Sequence, residues 1–318
     1  MENRTMQPQV KKQLKREQKR LIFYVLMVAL PSLQFLIFGA YVKLNSVLLS
    51  FKTYTTDVQN HGYIIEFAYL ANFKEAWNIF ASNLAMLKNS LVLYACNLLI
   101  VMSLALIFSY YIAKKFPMSK YFRIMLYVPH IISSVVFVVL YRYICSNVYP
   151  ALTGGEDPFN IVGEQGITMQ FNLVLIFCLW YGFGSNVMLF TGSMSGINEA
   201  VIEAGKIDGC NVVQEFIYIT IPSVWPTFVT FVITGIVGIF TNQMNMYTFF
   251  GAKGTNKFDV FGFYLYREAS VSGLSSTDAG VHPTYGVLSA LGLIFTAILV
   301  PVTFGVKYCL EKFGPSVD

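Results

Sequence analysis

The chain has 318 residues, 55% of them hydrophobic and only 12% charged, with a mean hydropathy of +0.57; this excludes an ordinary water-soluble domain. A net charge of +5 would admit a nucleic-acid partner. However, seven of the 22 Lys and Arg lie in residues 1–20 and none lies in 143–170, so the charge marks topology and no nucleic-acid partner is expected.

Crossing a ~30 Å hydrocarbon core as helix takes about 20 apolar residues. Six such runs occur, at about 21–42, 89–112, 122–143, 171–194, 223–246 and 285–309. They predict an all-α integral membrane protein of six transmembrane helices: a basic tail over 1–20, then a membrane domain over 21–318 with a prominent loop at 195–222. Pro31, Pro226 and Pro301 fall inside runs, which membrane helices tolerate. The first run is too long for a signal-peptide core and "LIFGAYVKLN" offers no small-residue cleavage site, so it is expected to be retained. Six crossings put 14 basic residues on the side of the N-terminus and 8 on the other. Both termini are therefore expected in the cytoplasm, with the tail against anionic headgroups.

Between the first two runs, "LANFKEAWNIFASNLAMLKNS" spaces Phe73, Trp77, Phe80 and Leu84 along one helical face, as an interfacial helix would. Residues 144–170, with "PALTGGEDPFN", read as loop. Residues 247–284 read as loop around a short helix near Gly262–Ser270. The pairs Gly182/Gly184, Gly192/Gly196 and Gly235/Gly238 suit close helix packing.

Nothing points to catalysis. His61, His130 and His282 stand alone and the five cysteines lack ligand spacing, so neither a catalytic nor a metal site is expected. "GAKGTNK" (Gly251–Lys257) approaches a phosphate loop, but Asn256 stands where the second glycine is needed. The spans hold almost no ionisable groups, which disfavours an ion-coupled carrier. Energy for uphill transport would have to come from another polypeptide.

The 195–222 loop is the informative segment. Ile197, Ala200/Val201, Ala204 and Ile207 share one helical face, and Glu199, Glu203 and Lys206 another. Gly209 interrupts, and Val213, Phe216, Ile217 and Thr220 set a second helical pattern up to Pro222, where the fifth span is expected to begin. A glycine between two short helices permits the positive φ of a sharp turn. A helix lying on anionic lipid would carry Lys and Arg, whereas this loop carries Glu199, Glu203, Asp208 and Glu215 against one Lys206. A projecting unit that docks into a groove on a soluble partner fits better.

Glu203-Ala204-Gly205, then Gly209 three residues on, then Ile219-Thr220-Ile221-Pro222 nine residues further, resemble the E-A-A-x3-G-x9-I-x-L-P loop of permease subunits of type I binding-protein-dependent ABC importers. Gly205 and Ile221 depart from that pattern by small changes. Asp208 and Phe216 are similar to the sugar-importing permeases, as are "LKNS", "FRIMLYVPHIIS", "FGFYLYREASVSG" and "YGVLSALGLIF". The resemblance implies an ATP-driven importer of a sugar, an oligosaccharide above all, in a bacterial cell membrane. A permease for another solute is the alternative. It further implies a coupling helix in which Glu203 pairs with a basic residue of a cytoplasmic ATPase subunit, Ala204 and Gly205 allow close approach, and Gly209 makes the turn. ATP and magnesium would sit on that ATPase, with no cofactor in this chain. An extracellular solute-binding protein and a second, non-identical permease complete the implied partners.

Neutral sugars are held by aromatic faces and by amide or hydroxyl groups. "LWYGFGSNVMLF" offers Trp180, Tyr181 and Asn186, and "FTNQMNMYTFF" offers Asn242, Gln243, Asn245 and Tyr247 as substrate-pathway candidates. Amides within a span face a neighbouring helix or a watery cavity rather than lipid.

Overall fold

The computed structural model describes residues 8–57, 62–161, 163–255, 258–272 and 283–315. Six runs in it are long and apolar enough to cross a membrane: Glu17–Leu49, Leu84–Ala113, Ser134–Thr153, Glu164–Ser195, Val212–Phe250 and Tyr285–Phe313. We call these the first to sixth spans. One end of the bundle carries the connection between the second and third spans and the 195–212 loop (the loop end). The other carries a β-hairpin and the segment after the fifth span (the hairpin end).

The first span is helical from Pro8, through a π-helical stretch at Phe35–Tyr41, to Leu49. None of its apolar window is buried, and only its hairpin-end part, Val42–Leu49, reaches the sixth span. Next comes the hairpin. Lys52–Asp57 pairs antiparallel with Gly62–Phe67, Lys52 opposite Phe67, in a Thr-, Tyr- and Ile-rich segment suited to strands. Buried Asn72 fixes its base by donating to the carbonyls of Ser50 (2.9 Å) and Lys52 (3.0 Å). The helix Ala71–Ser82 ends at Asn83, so Leu84 starts the second span instead of sharing a face with Phe73, Trp77 and Phe80. Phe80 packs on Phe261 and Phe295, while Trp77 is exposed.

The run expected as a span at 122–143 is broken just before the third span begins. The helix Ser119–Ile131 gives way to extended backbone at Ile132 and Ser133, and a second helix starts at Ser134. Pro129 has no N–H to return to the carbonyl of Met125, which weakens the helix just before this point. Beyond it the helix continues through Tyr149–Thr153 to Gly154, whose φ is +69°. Of the described residues in the loop expected over 144–170, only 154–161 and 163 lie outside helix, because the fourth span already begins at Glu164. The fifth span also differs from expectation. It is helical without interruption from Val212 to Thr241, passing through Pro222 instead of beginning there, and it breaks at 242–245.

Lipid tails are as apolar as leucine, so close packing must hold the spans together. A Cβ on Gly184 would lie 2.2 Å from the Leu126 carbonyl oxygen, and one on Gly235 would lie 2.5 Å from the Tyr94 ring. These two glycines do admit close approach. Gly192 has open space beside it. Toward the hairpin end, Phe137, Phe177 and Phe249 centre one buried cluster, and Phe240, Phe261 and Phe295 another. Met102, Ala105, Val187, Phe190 and Val224 form the third, toward the loop end.

Candidate functional site

The 199–222 unit is a helix–turn–helix closed by backbone chemistry at each joint. The Asn198 side chain accepts from Ala200 N–H (3.0 Å) and caps the helix Glu199–Ile207. At the other end, Gly209 N–H donates to the Lys206 carbonyl (3.1 Å) and Cys210 N–H to the Gly205 carbonyl (2.9 Å), with Gly209 at φ +81°. This 6→1, 5→2 pair is a Schellman closure, which needs a left-handed residue where Gly209 stands. Asn211 and Gln214 then exchange reciprocal bonds of 2.8 and 2.9 Å, a capping box that opens the second helix.

The two arms cross where Gly205 meets Ile219. A Cβ on Gly205 would stand 2.6 Å from the Ile219 Cδ1 atom, so the missing side chain makes room inside the unit. The second arm is anchored to the second span. Tyr110 Oη donates to the Val212 carbonyl (3.1 Å), and the rings of Tyr110 and Phe216 lie 4.9 Å apart. Lys114 forms an ion pair with Glu215, which is buried. Glu215 is therefore a tie to the adjacent connection and does not belong to the exposed acidic face.

What remains outward is an apolar tip with an acidic rim. Ile207 is 86% exposed and Tyr218 74%, with Val212 and Val213 also open. Glu203, Ala204 and Asp208 lie exposed around them, and Glu203 has no ion-pair partner among the described residues. The helical face that carries Ala204 and Ile207 is turned to the outside. Gly205, Phe216, Ile219 and Pro222 are partly buried and serve the unit's own packing.

A cavity of about 510 Å³ opens between the second, third, fourth and fifth spans. Of the pathway candidates, Tyr181, Asn186, Asn242 and Asn245 line it. Trp180 does not: half exposed, it packs at 4.9 Å on Phe137. Tyr247 turns to Tyr266 (5.0 Å), and Gln243 is not among the lining residues, although its buried Oε1 has no hydrogen-bond partner among the described residues.

Tyr94, Asn97, Ser134, Ser185 and Thr234 complete the polar lining and were missed in the sequence. Asn97, a lone amide in "LYACNLLIVM", was the readable signal; it starts the π-helical stretch Asn97–Met102. Ser134 reaches the cavity because the helix breaks just before it, and Asn242 and Asn245 because the fifth span breaks around them. Gly182 and Gly238 also line it, so their lack of a side chain leaves open volume. His130 packs tilted against Tyr181 at 5.5 Å; His61 and His282 lie outside the described residues, as do Asn256 and Lys257. Among the described residues no three His, Cys, Asp or Glu side chains group as metal ligands.

No family model matches the chain. It is 23% identical over 275 residues to the arabinooligosaccharides transport system permease protein AraP of Halalkalibacterium halodurans, across 84% of this chain and 82% of that one. It is 25% identical over 241 residues to the lactose transport system permease protein LacF of Rhizobium radiobacter, across 73% and 78%. Among solved structures, a chain of a bacterial alginate ABC transporter, in complex with alginate pentasaccharide-bound periplasmic protein, superposes with a TM-score of 0.69. That match covers 95% of this chain and 99% of the other at 16% identity.

Proposed function

We propose that this chain, whose fold is that of the ABC transporter permeases, is the membrane subunit of an ATP-driven importer that carries an oligosaccharide inward. The observation that carries the reading is the 199–222 unit, an exposed apolar tip rimmed by Glu203 and Asp208 and fixed to the second and fifth spans. A helical face of this kind fits a groove on a soluble protein. Glu203, Ala204 and Asp208 meet a cytoplasmic ATPase subunit there, Glu203 opposite a basic side chain. Gly205, Gly209, Phe216, Ile219 and Pro222 give the unit its shape.

The chain itself is no enzyme: ATP and magnesium are bound and ATP hydrolysed on the partner. The loop end and both termini face the cytoplasm of a bacterial cell, and the hairpin end receives sugar from an extracellular solute-binding protein. A second, non-identical permease completes the path. Support for a sugar comes from the amide- and tyrosine-lined cavity and from relatives that are named for arabinooligosaccharides and lactose.

The test is to tag the chain, solubilise its native membrane gently, identify what co-purifies, and measure ATP hydrolysis by the reconstituted assembly with and without sugar and binding protein. A stoichiometric ATPase and sugar-stimulated hydrolysis are expected. A chain that purifies alone and transports in liposomes without ATP refutes the reading.

A further inference from the structure

A second cavity, of about 770 Å³, lies toward the loop end between the fourth, fifth and sixth spans. Thr234 lines both it and the 510 Å³ cavity, so the two voids adjoin at this residue of the fifth span. The face that carries it is a stripe. Ser223, Pro226, Thr230 and Thr234 stand at i, i+3, i+7 and i+11, and all four line the second cavity.

The stripe's chemistry is one-sided. Ser223 Oγ donates to the Ile219 carbonyl (2.6 Å), Thr230 Oγ1 to Pro226 (2.9 Å) and Thr234 Oγ1 to Thr230 (2.7 Å). Each hydroxyl hydrogen is thereby committed within the helix, and what the oxygens have left to offer is lone pairs. Pro226 has no N–H to give the carbonyl of Pro222, which adds one more acceptor in the same wall. A solute rich in O–H donors matches such a surface.

Charge is the other half of the observation. The 510 Å³ cavity is lined by no Lys, Arg, Asp or Glu among the described residues. The second has only Lys307 and Glu311, 3.7 Å apart on successive turns of the sixth span and neutralising each other. Bringing a row of carboxylates into so uncharged a space costs several kcal/mol per group unless cations meet them. Sites for carboxylated ligands supply Arg or Lys for that purpose.

We infer that the two cavities form one continuous path without net charge along the fifth span, with Thr234 at its junction, and that the transported oligosaccharide is uncharged, not a uronate. The inference rests on the importer reading above. The test measures uptake by cells carrying the complete transporter, using α-1,4-linked galactotriose, arabinotriose and α-1,4-linked galacturonotriose; the first and third then differ only by oxidation at C6. At least one neutral trisaccharide is expected to enter and galacturonotriose to be excluded. In parallel, Thr234→Val, which keeps the shape and removes the oxygen, should lower uptake roughly fivefold, the worth of one ordinary hydrogen bond. Its assembly with the ATPase should stay intact, and Thr234→Ser should restore most of the loss.

Entry of galacturonotriose at a rate comparable to the neutral sugars overturns the inference and leaves the importer standing. Unchanged uptake in Thr234→Val removes Thr234 from the path. A transporter that takes up no sugar, or a chain with no ATPase attached, refutes the importer reading and this inference with it.

Discussion

The fifth span is flanked by two segments built on the same device, a break in helix followed by a short helix folded back, and they use it in opposite ways. At the loop end, the 199–222 unit uses Gly205 for an internal contact and leaves Ile207, Val213 and Tyr218 in the open. At the hairpin end, the chain unwinds at 242–245 and the helix Phe261–Ser272 closes over it so tightly that a Cβ on Gly262 would lie 2.4 Å from the Asn242 carbonyl oxygen. There the charges are buried. Arg267 meets Asp259 at 2.7 Å and Glu268 at 3.0 Å, and Thr255 N–H donates to Asp259 at 3.0 Å. Arg142 donates to the Phe249 carbonyl in the same region. The loop end keeps its apolar and acidic groups exposed, as the proposed ATPase docking requires, whereas the hairpin end buries its charges in pairs.

That contrast is open to direct attack. The largest effect is expected from Gly209→Pro. The proline ring holds φ near −65°, whereas the turn requires +81°, so sugar uptake should fall to background while membrane insertion persists; wild-type uptake would mean that the turn is dispensable. Glu203→Lys follows. Juxtaposing like charges at an interface costs several kcal/mol, so the ATPase should be lost on gentle purification, with the chain's own melting temperature almost unchanged, as befits an exposed side chain. Normal assembly would exclude the proposed ion pair.

At the other end the signature should reverse. Arg267→Ala leaves the buried Asp259 carboxylate without its cation, a loss of about 3–5 kcal/mol. It should appear as a clear drop in the thermal stability of the solubilised protein, with ATPase binding retained; an unchanged melting curve would mean that the pair is not buried in the protein. Gly262→Ala should cost about 1–3 kcal/mol by overpacking against backbone, read in the same thermal assay. If it were neutral, the close approach to Asn242 would be wrong.

Legibility followed the length scale of the forces. Six apolar runs could be read because membrane thickness imposes about 20 residues on each. The Gly209 turn could be read because a left-handed residue between two helical patterns is a local demand. Less visible were the interruptions at Ile132–Ser133 and 242–245. A break inside a membrane survives only where neighbouring protein or a cavity satisfies the freed backbone, and that is a property of the assembled bundle. The hairpin escaped for a similar reason: two six-residue strands carry little signal until buried Asn72 fixes their base. Within the loop, residue spacing could not say that Gly205 would face Ile219, or that Glu215 would turn inward to Lys114. Both depend on how two helices cross. Trp180 and Tyr247 fall outside the cavity lining, and sequence could not show this because an aromatic ring suits a lipid boundary or a packed core as well as a sugar.

The passage of helix straight through Pro222 has a mechanical consequence. The stretch from Val212 to Thr241 is unbroken, and at 1.5 Å per residue it forms a rod of roughly 45 Å. Its first turn belongs to the docking tip and its far half carries Thr234 and Gly238 of the cavity wall. With no joint between handle and blade, rotating the tip by about 5° would swing the opposite end by about 4 Å over that length. The partner's stroke would thus be delivered to the sugar's surroundings as leverage, with no relay of side chains required.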